Sequence, residues 1–129
     1  MGATILVVDD EHDIRTYLKT LLTKEGYTTL TAGDGDEGLL VAKQGHPDLI
    51  FLDIMMPKRT GIMLYRRLKK DPVLAPVPVV ILTGLSQYRT FFAQDFEGVR
   101  PPEAFVEKPP NRDELIELVR TLTTSGTQP

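Results

Sequence analysis

Apolar residues along the chain follow two alternating patterns, which predict alternating strands and helices. Short, nearly continuous apolar runs are typical of strands that are buried on both faces of a sheet. Five such runs predict strands at residues 4–8, 27–31, 48–53, 77–82 and 104–107. The second run is the weakest and is expected near a sheet edge. The fourth contains Pro78, which a strand tolerates only near its start.

Between these runs, apolar residues recur at the three- and four-residue spacing of helices. The pattern predicts helices at residues 12–25, 35–44, from the end of the loop 56–61 to Lys70, 86–96, and from Asn111 onwards. Gly26 is the expected end of the first helix, and Glu114 is the expected capping-box partner of Asn111. We expect residues 1–123 to form one domain, and 124–129 to form a flexible tail.

Alternating strands and helices predict an α/β fold, a parallel sheet with helices on both faces. The length of 129 residues suits one domain, and the net charge of −3 argues against a broad nucleic-acid surface. The chain has no cysteine, which excludes disulfides and thiolate metal sites. The apolar runs are too short for a membrane span and no secretory signal is visible, so we expect a cytoplasmic protein.

Polar residues stand where the predicted strands end. Asp9 and Asp10 follow the first run, Asp53 ends the third, Thr83 follows the fourth and Lys108 follows the fifth. In an open parallel sheet these positions share one edge, which is where such sheets bind ligands. Three carboxylates, a hydroxyl and an ammonium suit a Mg²⁺ ion and a phosphoryl group.

Each of these residues also has an ordinary explanation when it is taken alone. Asp9 and Asp10 could cap a helix, Asp53 could belong to a turn, Thr83 could cap the next helix and Lys108 could be solvated. The combination favours a site, because four separate strands end in the residue type that the chemistry needs. A carboxylate such as Asp53 can attack phosphorus and form an aspartyl phosphate.

The chain resembles the receiver domain of two-component response regulators from about Thr4 to Leu122. The resemblance rests on five stretches in the family's order: Val7-Val8-Asp9-Asp10-Glu11, Leu52-Asp53-Ile54-Met55-Met56-Pro57, Gly61, Leu82-Thr83-Gly84 and Lys108-Pro109. It implies a flavodoxin-like (βα)5 doubly wound sheet with five parallel strands in the order 2-1-3-4-5. It also implies a signalling module that catalyses its own phosphorylation, rather than a metabolic enzyme.

Position by position, the resemblance makes Asp53 the phosphoacceptor. The donor would be a histidine kinase or a histidine phosphotransfer protein, and a downstream partner or output domain would read the change. The cofactor would be Mg²⁺, held by Asp10, Asp53 and the backbone carbonyl of Met55, and by Asp9 through water. The family also forms homodimers, and such a dimer is compatible with the resemblance.

The remaining family roles fall on the last two strands. Thr83 and Lys108 would contact the phosphoryl group, and the bond between Lys108 and Pro109 would be cis. Phe105 matches an aromatic that turns inward when the phosphoryl group arrives, although an aromatic in a short strand is also ordinary core. Because Phe has no hydroxyl, we predict a switch governed by packing.

Several positions distinguish this chain within the family. The resemblance places Met55 and Leu85 at two positions that tune phosphoryl lifetime in the family, and both are apolar, so slow self-dephosphorylation is expected. Gly84 would leave the site open to the donor. The segment 98–104 replaces a common Gly-Ala pair and lengthens a face that often forms dimers or contacts outputs, which weakens the expectation of a family-typical dimer.

An exposed apolar patch is expected where the kinase-side partner binds. Ile14 and Pro110 are its candidates, with ordinary core as the alternative for Ile14. Three other interpretations remain: a receiver cut from a longer regulator or hybrid kinase, a phosphorylation-independent scaffold, and a flavodoxin-like cofactor binder. The last fits poorly, because Asp9-Asp10-Glu11 would repel a phosphate in the absence of a metal.

Overall fold

A five-stranded parallel sheet forms the centre of the protein, whose computed structural model describes residues 2–84 and 96–124. Its strands are β1 (Thr4–Val8), β2 (Thr28–Ala32), β3 (Leu49–Asp53), β4 (Val79–Thr83) and β5 (Ala104–Glu107). Their order across the sheet is β2-β1-β3-β4-β5. All four neighbouring pairs are parallel, which confirms the predicted fold.

Helices cover both faces of this sheet. They are α1 (His12–Lys24), α2 (Gly35–Gly45), α3 (Thr60–Lys70) and α4 (Arg112–Thr124), with a short 3₁₀ helix at Pro57–Arg59. The core therefore has two halves: one lies under α2 and α3, and the other lies under α1 and α4. The predicted helix at residues 86–96 falls almost entirely on residues 85–95, which lie outside the described part, as do residues 125–129.

The two-sided core explains why the strands are nearly continuous in apolar residues. In β1, Leu6 and Val8 pack into one half of the core, whereas Ile5 and Val7 pack into the other. All four are fully buried. A strand that is covered on both faces has no solvent-facing position, so its sequence does not alternate between apolar and polar residues.

Element boundaries differ from the predicted ones where local hydrogen bonds intervene. The strand predicted from residue 77 begins at Val79, because the Val77 N–H donates to the Leu74 carbonyl in a turn and Pro78 has no N–H to donate. The last helix continues to Thr124, the first residue of the predicted tail. The Thr123 hydroxyl donates to the Val119 carbonyl at 2.7 Å.

The ends of two helices agree with the capping residues predicted from the sequence. Gly26 has a positive φ of 94° just after α1 ends, the conformation that favours glycine at a helix end. The Asn111 side chain accepts a hydrogen bond from the Glu114 N–H at 2.9 Å, so Asn111 caps α4 as predicted. These caps set the end of α1 before β2 and the start of α4 after β5.

Lys69 ties the end of α3 to the segment that leads into β4. Its ammonium is buried and donates to the carbonyls of Ala75 and Val77, at 3.2 and 2.8 Å.

We expect Lys69→Met to lower the free energy of unfolding by about 1–3 kcal/mol, because both carbonyls lose a charged donor. Urea denaturation would measure the loss. Lys70→Met, at the exposed neighbouring position, should change stability little, and equal stability of the two variants would contradict this role.

Candidate functional site

The carboxyl ends of β1, β3, β4 and β5 bring the predicted polar residues to one edge of the sheet. Asp53 is the last residue of β3 and pairs with Leu82, next to Thr83 at the end of β4. The Lys108 N–H donates to the Thr83 carbonyl at 2.8 Å, which fixes the residue after β5 beside β4. Asp9, just after β1, is 0% exposed, and Asp53 and Thr83 are each 3% exposed. Three of the predicted residues are thus buried polar groups, which need partners.

The Lys108 ammonium lies at the centre of a cluster of carboxylates. Its nitrogen is 2.8 Å from Asp9 Oδ2, 2.7 Å from Glu11 Oε1 and 3.2 Å from Asp53 Oδ2. The Lys108 side chain is only 13% exposed, so water screens its ion pairs with the buried Asp9 and Asp53 weakly, whereas Glu11 is exposed and its ion pair is screened more. One cation therefore offsets part of the repulsion among three neighbouring anions.

Asp53 is held in place by one backbone donor and one cation. Its Oδ1 accepts a hydrogen bond from the Met55 N–H at 3.0 Å, and its Oδ2 faces Lys108. Burial, followed by the negative charge of Asp9, raises the pKa of Asp53 to about 6, while the Met55 N–H and Lys108 act in the opposite direction. At neutral pH the carboxylate is thus mainly ionised but electrostatically unfavourable, and a further cation would stabilise it.

The two carboxylate oxygens of Asp9 have different partners. Its Oδ1 accepts from the Glu11 N–H at 2.9 Å. Its Oδ2 is buried, and its partner is the Lys108 ammonium, 2.8 Å away in an ion pair. The N-cap position of α1 is Glu11, not Asp9 or Asp10, so helix capping does not explain these two aspartates.

Four carboxylates could together hold a metal ion. Asp9, Asp10, Glu11 and Asp53 each offer one oxygen, and these oxygens all lie within 4.8 Å of one another. Asp10 and Glu11 are exposed, whereas Asp9 and Asp53 are buried. An all-oxygen set of four carboxylates, three of which share the single ammonium of Lys108, suits a hard divalent cation.

The cluster opens onto a cleft of about 400 Å³. Its lining residues are Asp10, Glu11, Asp53, Met55, Gly84 and Lys108. Met55 is 46% exposed at the rim, and a Cβ added to Gly84 would meet no atom of the described residues within 4 Å. Asp53 and Gly84 both line this cleft, so a small group that enters it would reach the Asp53 carboxylate.

Comparison with known proteins agrees with this arrangement, since residues 5–120 match the family model of the response regulator receiver domain. The chain belongs to this family. The probable transcriptional regulator ycf27 of Cyanophora paradoxa is 38% identical over 119 residues, which are 92% of this chain and 47% of that protein. The response regulator PleD of Caulobacter vibrioides is 39% identical over 125 residues, which are 95% of this chain and 26% of that protein. The receiver thus spans a quarter to a half of the length of these two relatives.

Solved receiver structures share the whole fold. The receiver domain of the Francisella response regulator 1452 superposes with a TM-score of 0.82 at 30% identity, covering 98% of this chain and all of that one. The signal receiver domain of a histidine kinase from Syntrophus aciditrophicus gives 0.85 at 31% identity, covering 99% and 95% of the two chains. Similar receivers therefore occur both in response regulators and within a histidine kinase.

The structure also bears on the positions that lie away from the carboxylates. The peptide bond between Lys108 and Pro109 is cis, as predicted. Phe105 is half-buried and its ring meets the edge of Phe96 at a centroid distance of 6.1 Å. Leu85, the second predicted lifetime position, lies outside the described residues.

The predicted partner patch needs correction at Pro110. Pro110 is buried in the short link between β5 and α4, so it contributes no exposed apolar surface. Ile14 is half-buried and packs against the core half under α1 and α4, which fits the core alternative at that position. None of the helices in residues 2–84 and 96–124 has both the length and the apolar character needed to cross a membrane.

Two polar residues near the site were not assigned a role from the sequence. Glu11 was part of the quoted motif, but its ion pair with Lys108 depends on how the turn after β1 is folded. Arg15, one turn into α1, donates from Nη1 to the Asp9 carbonyl at 2.7 Å. The sequence offered one indication for Arg15. It lies in the first turn of a helix that begins just after β1, where a side chain can face back toward Asp9.

Proposed function

We propose that this receiver accepts a phosphoryl group on Asp53 in a Mg²⁺-dependent reaction, and that the change controls a partner or an output domain. The donor would be a histidine kinase or a histidine phosphotransfer protein, since receivers interact with such proteins. The observation that carries the proposal is the buried Asp53 carboxylate, which lies 3.2 Å from the Lys108 ammonium and lines a cleft.

In this proposal the Asp53 oxygen attacks phosphorus as the bond between phosphorus and the donor breaks, and the leaving group departs through the cleft. The reaction needs an ionised Asp53, and the Lys108 ammonium favours that form. The same ammonium is placed to stabilise negative charge on a transferred phosphoryl oxygen. Thr83 would donate its hydroxyl to a second phosphoryl oxygen.

Metal binding would use the oxygens that already converge on the site. Asp10, Asp53 and the Met55 backbone carbonyl would be direct ligands, and Asp9 would hold the ion through water. Mg²⁺ would supply positive charge that offsets the repulsion between these carboxylates and the incoming phosphate. The buried Asp9 Oδ2 supports this assignment, because its one cationic partner, Lys108, is shared with Glu11 and Asp53, and a carboxylate oxygen can accept more than one contact.

Readout of the phosphoryl group would involve Thr83 and Phe105. Phe105 is the residue of β5 paired with Ile81, two residues before Thr83 in the neighbouring strand. The Phe96 ring lies between Phe105 and Tyr65, at centroid distances of 6.1 and 4.9 Å. A change at Thr83 that repositions Phe105 would therefore be transmitted through ring packing.

The test is to incubate the protein with acetyl phosphate and weigh it intact, with and without Mg²⁺. We expect one phosphoryl adduct that requires Mg²⁺ and is absent from Asp53→Asn. An adduct on Asp53→Asn would overturn the assignment of the phosphoacceptor. Absence of any adduct, both with acetyl phosphate and with purified phosphotransfer proteins, would favour a phosphorylation-independent scaffold.

Met55 should lengthen the lifetime of the phosphoryl group. Its side chain lies at the rim of the cleft, is 46% exposed, and cannot orient an attacking water by hydrogen bonding. We expect Met55→Asn and Met55→Glu to accelerate phosphoryl loss by roughly 10-fold, which is less than the 10²–10⁴-fold typical of an evolved general base, because the new side chain would only help to orient the water.

Decay of the intact-mass adduct after removal of the donor would measure that rate. Met63→Asn, on an exposed methionine of α3 outside the cleft lining, is the matched control and should leave the lifetime unchanged. Equal or slower decay of the Met55 variants would contradict the role of this position.

A further inference from the structure

Every polar group of Asp9, on its backbone and on its side chain, has a partner among the described residues. Its N–H donates to the Ala32 carbonyl at 3.1 Å, and its carbonyl accepts from Arg15 Nη1 at 2.7 Å. Its Oδ1 accepts from the Glu11 N–H at 2.9 Å, and its Oδ2 lies 2.8 Å from the Lys108 ammonium. Of these four contacts, only two involve another side chain, and only Arg15 acts on the backbone of Asp9 from a helix.

Arg15 links three elements around the site. It belongs to α1, its guanidinium binds the residue after β1, and it lies beside Gly33, the residue after β2. A Cβ built on Gly33 would be at van der Waals distance, 3.5 Å, from Arg15 Nη1, so the guanidinium lies next to that turn. Arg15 is half-buried, which limits its freedom to take other positions.

The geometry points to Arg15 as a positioning residue for the metal site, acting through Asp9. By holding the Asp9 carbonyl, Arg15 fixes the turn between β1 and α1. With Oδ1 already bound to the Glu11 N–H, that turn sets the direction of Oδ2 toward the other carboxylates. This inference rests on the proposed Mg²⁺ site, and it concerns how that site is kept in its binding geometry.

Charge alone predicts the opposite effect from positioning. Arg15 is a cation near four carboxylates, so removing its charge should favour a dication if simple electrostatics dominated. If positioning dominates, removing the hydrogen bond should weaken Mg²⁺ binding, because partners that orient ligands typically contribute 10–100-fold in metal affinity. The sign of the change therefore separates the two effects.

The experiment is a calorimetric titration of the full chain with MgCl₂, without a phosphodonor. We expect Arg15→Gln to raise the dissociation constant for Mg²⁺ by about 10-fold, the lower end of the range for groups that orient metal ligands, because Arg15 acts through the backbone of Asp9. Arg15→Lys, which keeps the charge and one donor, should recover part of the loss. Lys19→Gln removes the same charge from an exposed position one turn further along α1 and should leave the affinity unchanged.

A double variant tests whether Arg15 acts through Asp9. In the Asp9→Asn background, Arg15→Gln should change the remaining affinity by less than about 3-fold, because coupled residues are not additive. An equal loss in both backgrounds would overturn the route through Asp9. Unchanged or tighter binding by Arg15→Gln would overturn the positioning role, and Arg15→Lys provides the same comparison should the glutamine variant not fold.

The wild-type titration separates this inference from the proposed function. Wild-type protein that binds Mg²⁺, together with an Arg15→Gln variant that binds equally well, would remove the role of Arg15 and leave the proposed function intact. Wild-type protein that does not bind Mg²⁺ would overturn the metal assignment itself, and the inference with it.

Discussion

Replacing Lys108 with methionine is expected to slow the phosphorylation of Asp53 by about 10²–10³-fold, the typical loss when a group that stabilises developing charge is removed. Lys108 contacts Asp9, Glu11 and Asp53 at 2.7–3.2 Å. Methionine keeps much of the side-chain volume but removes the charge. Three carboxylates would then face one another without their shared cation.

Two effects of this substitution act in the same direction. The pKa of Asp53, already raised to about 6 by burial and by Asp9, would rise further without the Lys108 charge, which leaves less of the ionised nucleophile. The transferred phosphoryl group would also lose its nearest ammonium. The initial rate of adduct formation with acetyl phosphate and saturating Mg²⁺ would measure the combined loss.

Two controls distinguish this role from a general effect of charge. Lys24→Met removes the same charge from an exposed position at the last turn of α1 and should phosphorylate at the wild-type rate. Lys108→Arg keeps a cation but changes its shape, so it should recover part of the rate. If Lys108→Met were phosphorylated less than about 3-fold more slowly than Lys24→Met, the loss of rate would be far below the expected 10²–10³-fold. Lys108 would then have no role in phosphoryl transfer.

The sheet and the position of the site could be predicted from the sequence, because both depend on the order of apolar and polar residues along the chain. Buried parallel strands read as apolar runs, and the residue that ends each run must lie at the shared edge of the sheet. Asp9, Asp53 and Thr83 satisfied this rule through the register of the strands alone. No knowledge of side-chain direction was needed to bring them together.

The remaining features depend on how turns and links fold in three dimensions. Glu11 reaches Lys108 across 97 positions of sequence, a contact that no local pattern encodes. The burial of Pro110 depends on the path from β5 into α4, which a proline after a strand does not specify. The start of β4 at Val79 follows from a turn bond between Val77 and Leu74, and the apolar run does not reveal that bond.

Gly61 is the second position where a single substitution should have a large effect. It lies in the first turn of α3, directly against the end of β3. A Cβ at this position would be 2.4 Å from the Asp53 carbonyl oxygen, 2.9 Å from Ile54 Cα and 3.0 Å from the Ile54 carbonyl oxygen. These atoms belong to the backbone, so a rotamer change cannot relieve the overlap.

We expect Gly61→Ala to lower the free energy of unfolding by about 2–3 kcal/mol, the upper part of the usual range for overpacking. The chain must separate α3 from the end of β3, which also shifts Asp53 relative to Lys108, so phosphorylation should slow as well. Urea denaturation and the rate of adduct formation would measure the two effects. Because the separation of α3 from β3 causes both effects, this variant should lose stability and phosphorylation rate together.

Gly84→Ala is the matched control for stability. It adds the same methyl group to another glycine at the same edge of the sheet, where a Cβ would meet no atom of the described residues within 4 Å. Its unfolding free energy should therefore stay within about 0.5 kcal/mol of wild type. If Gly61→Ala were as stable as Gly84→Ala, α3 could not be packed against the Asp53 backbone as closely as the structure shows. In that case the close approach of α3 would not be what fixes the end of β3.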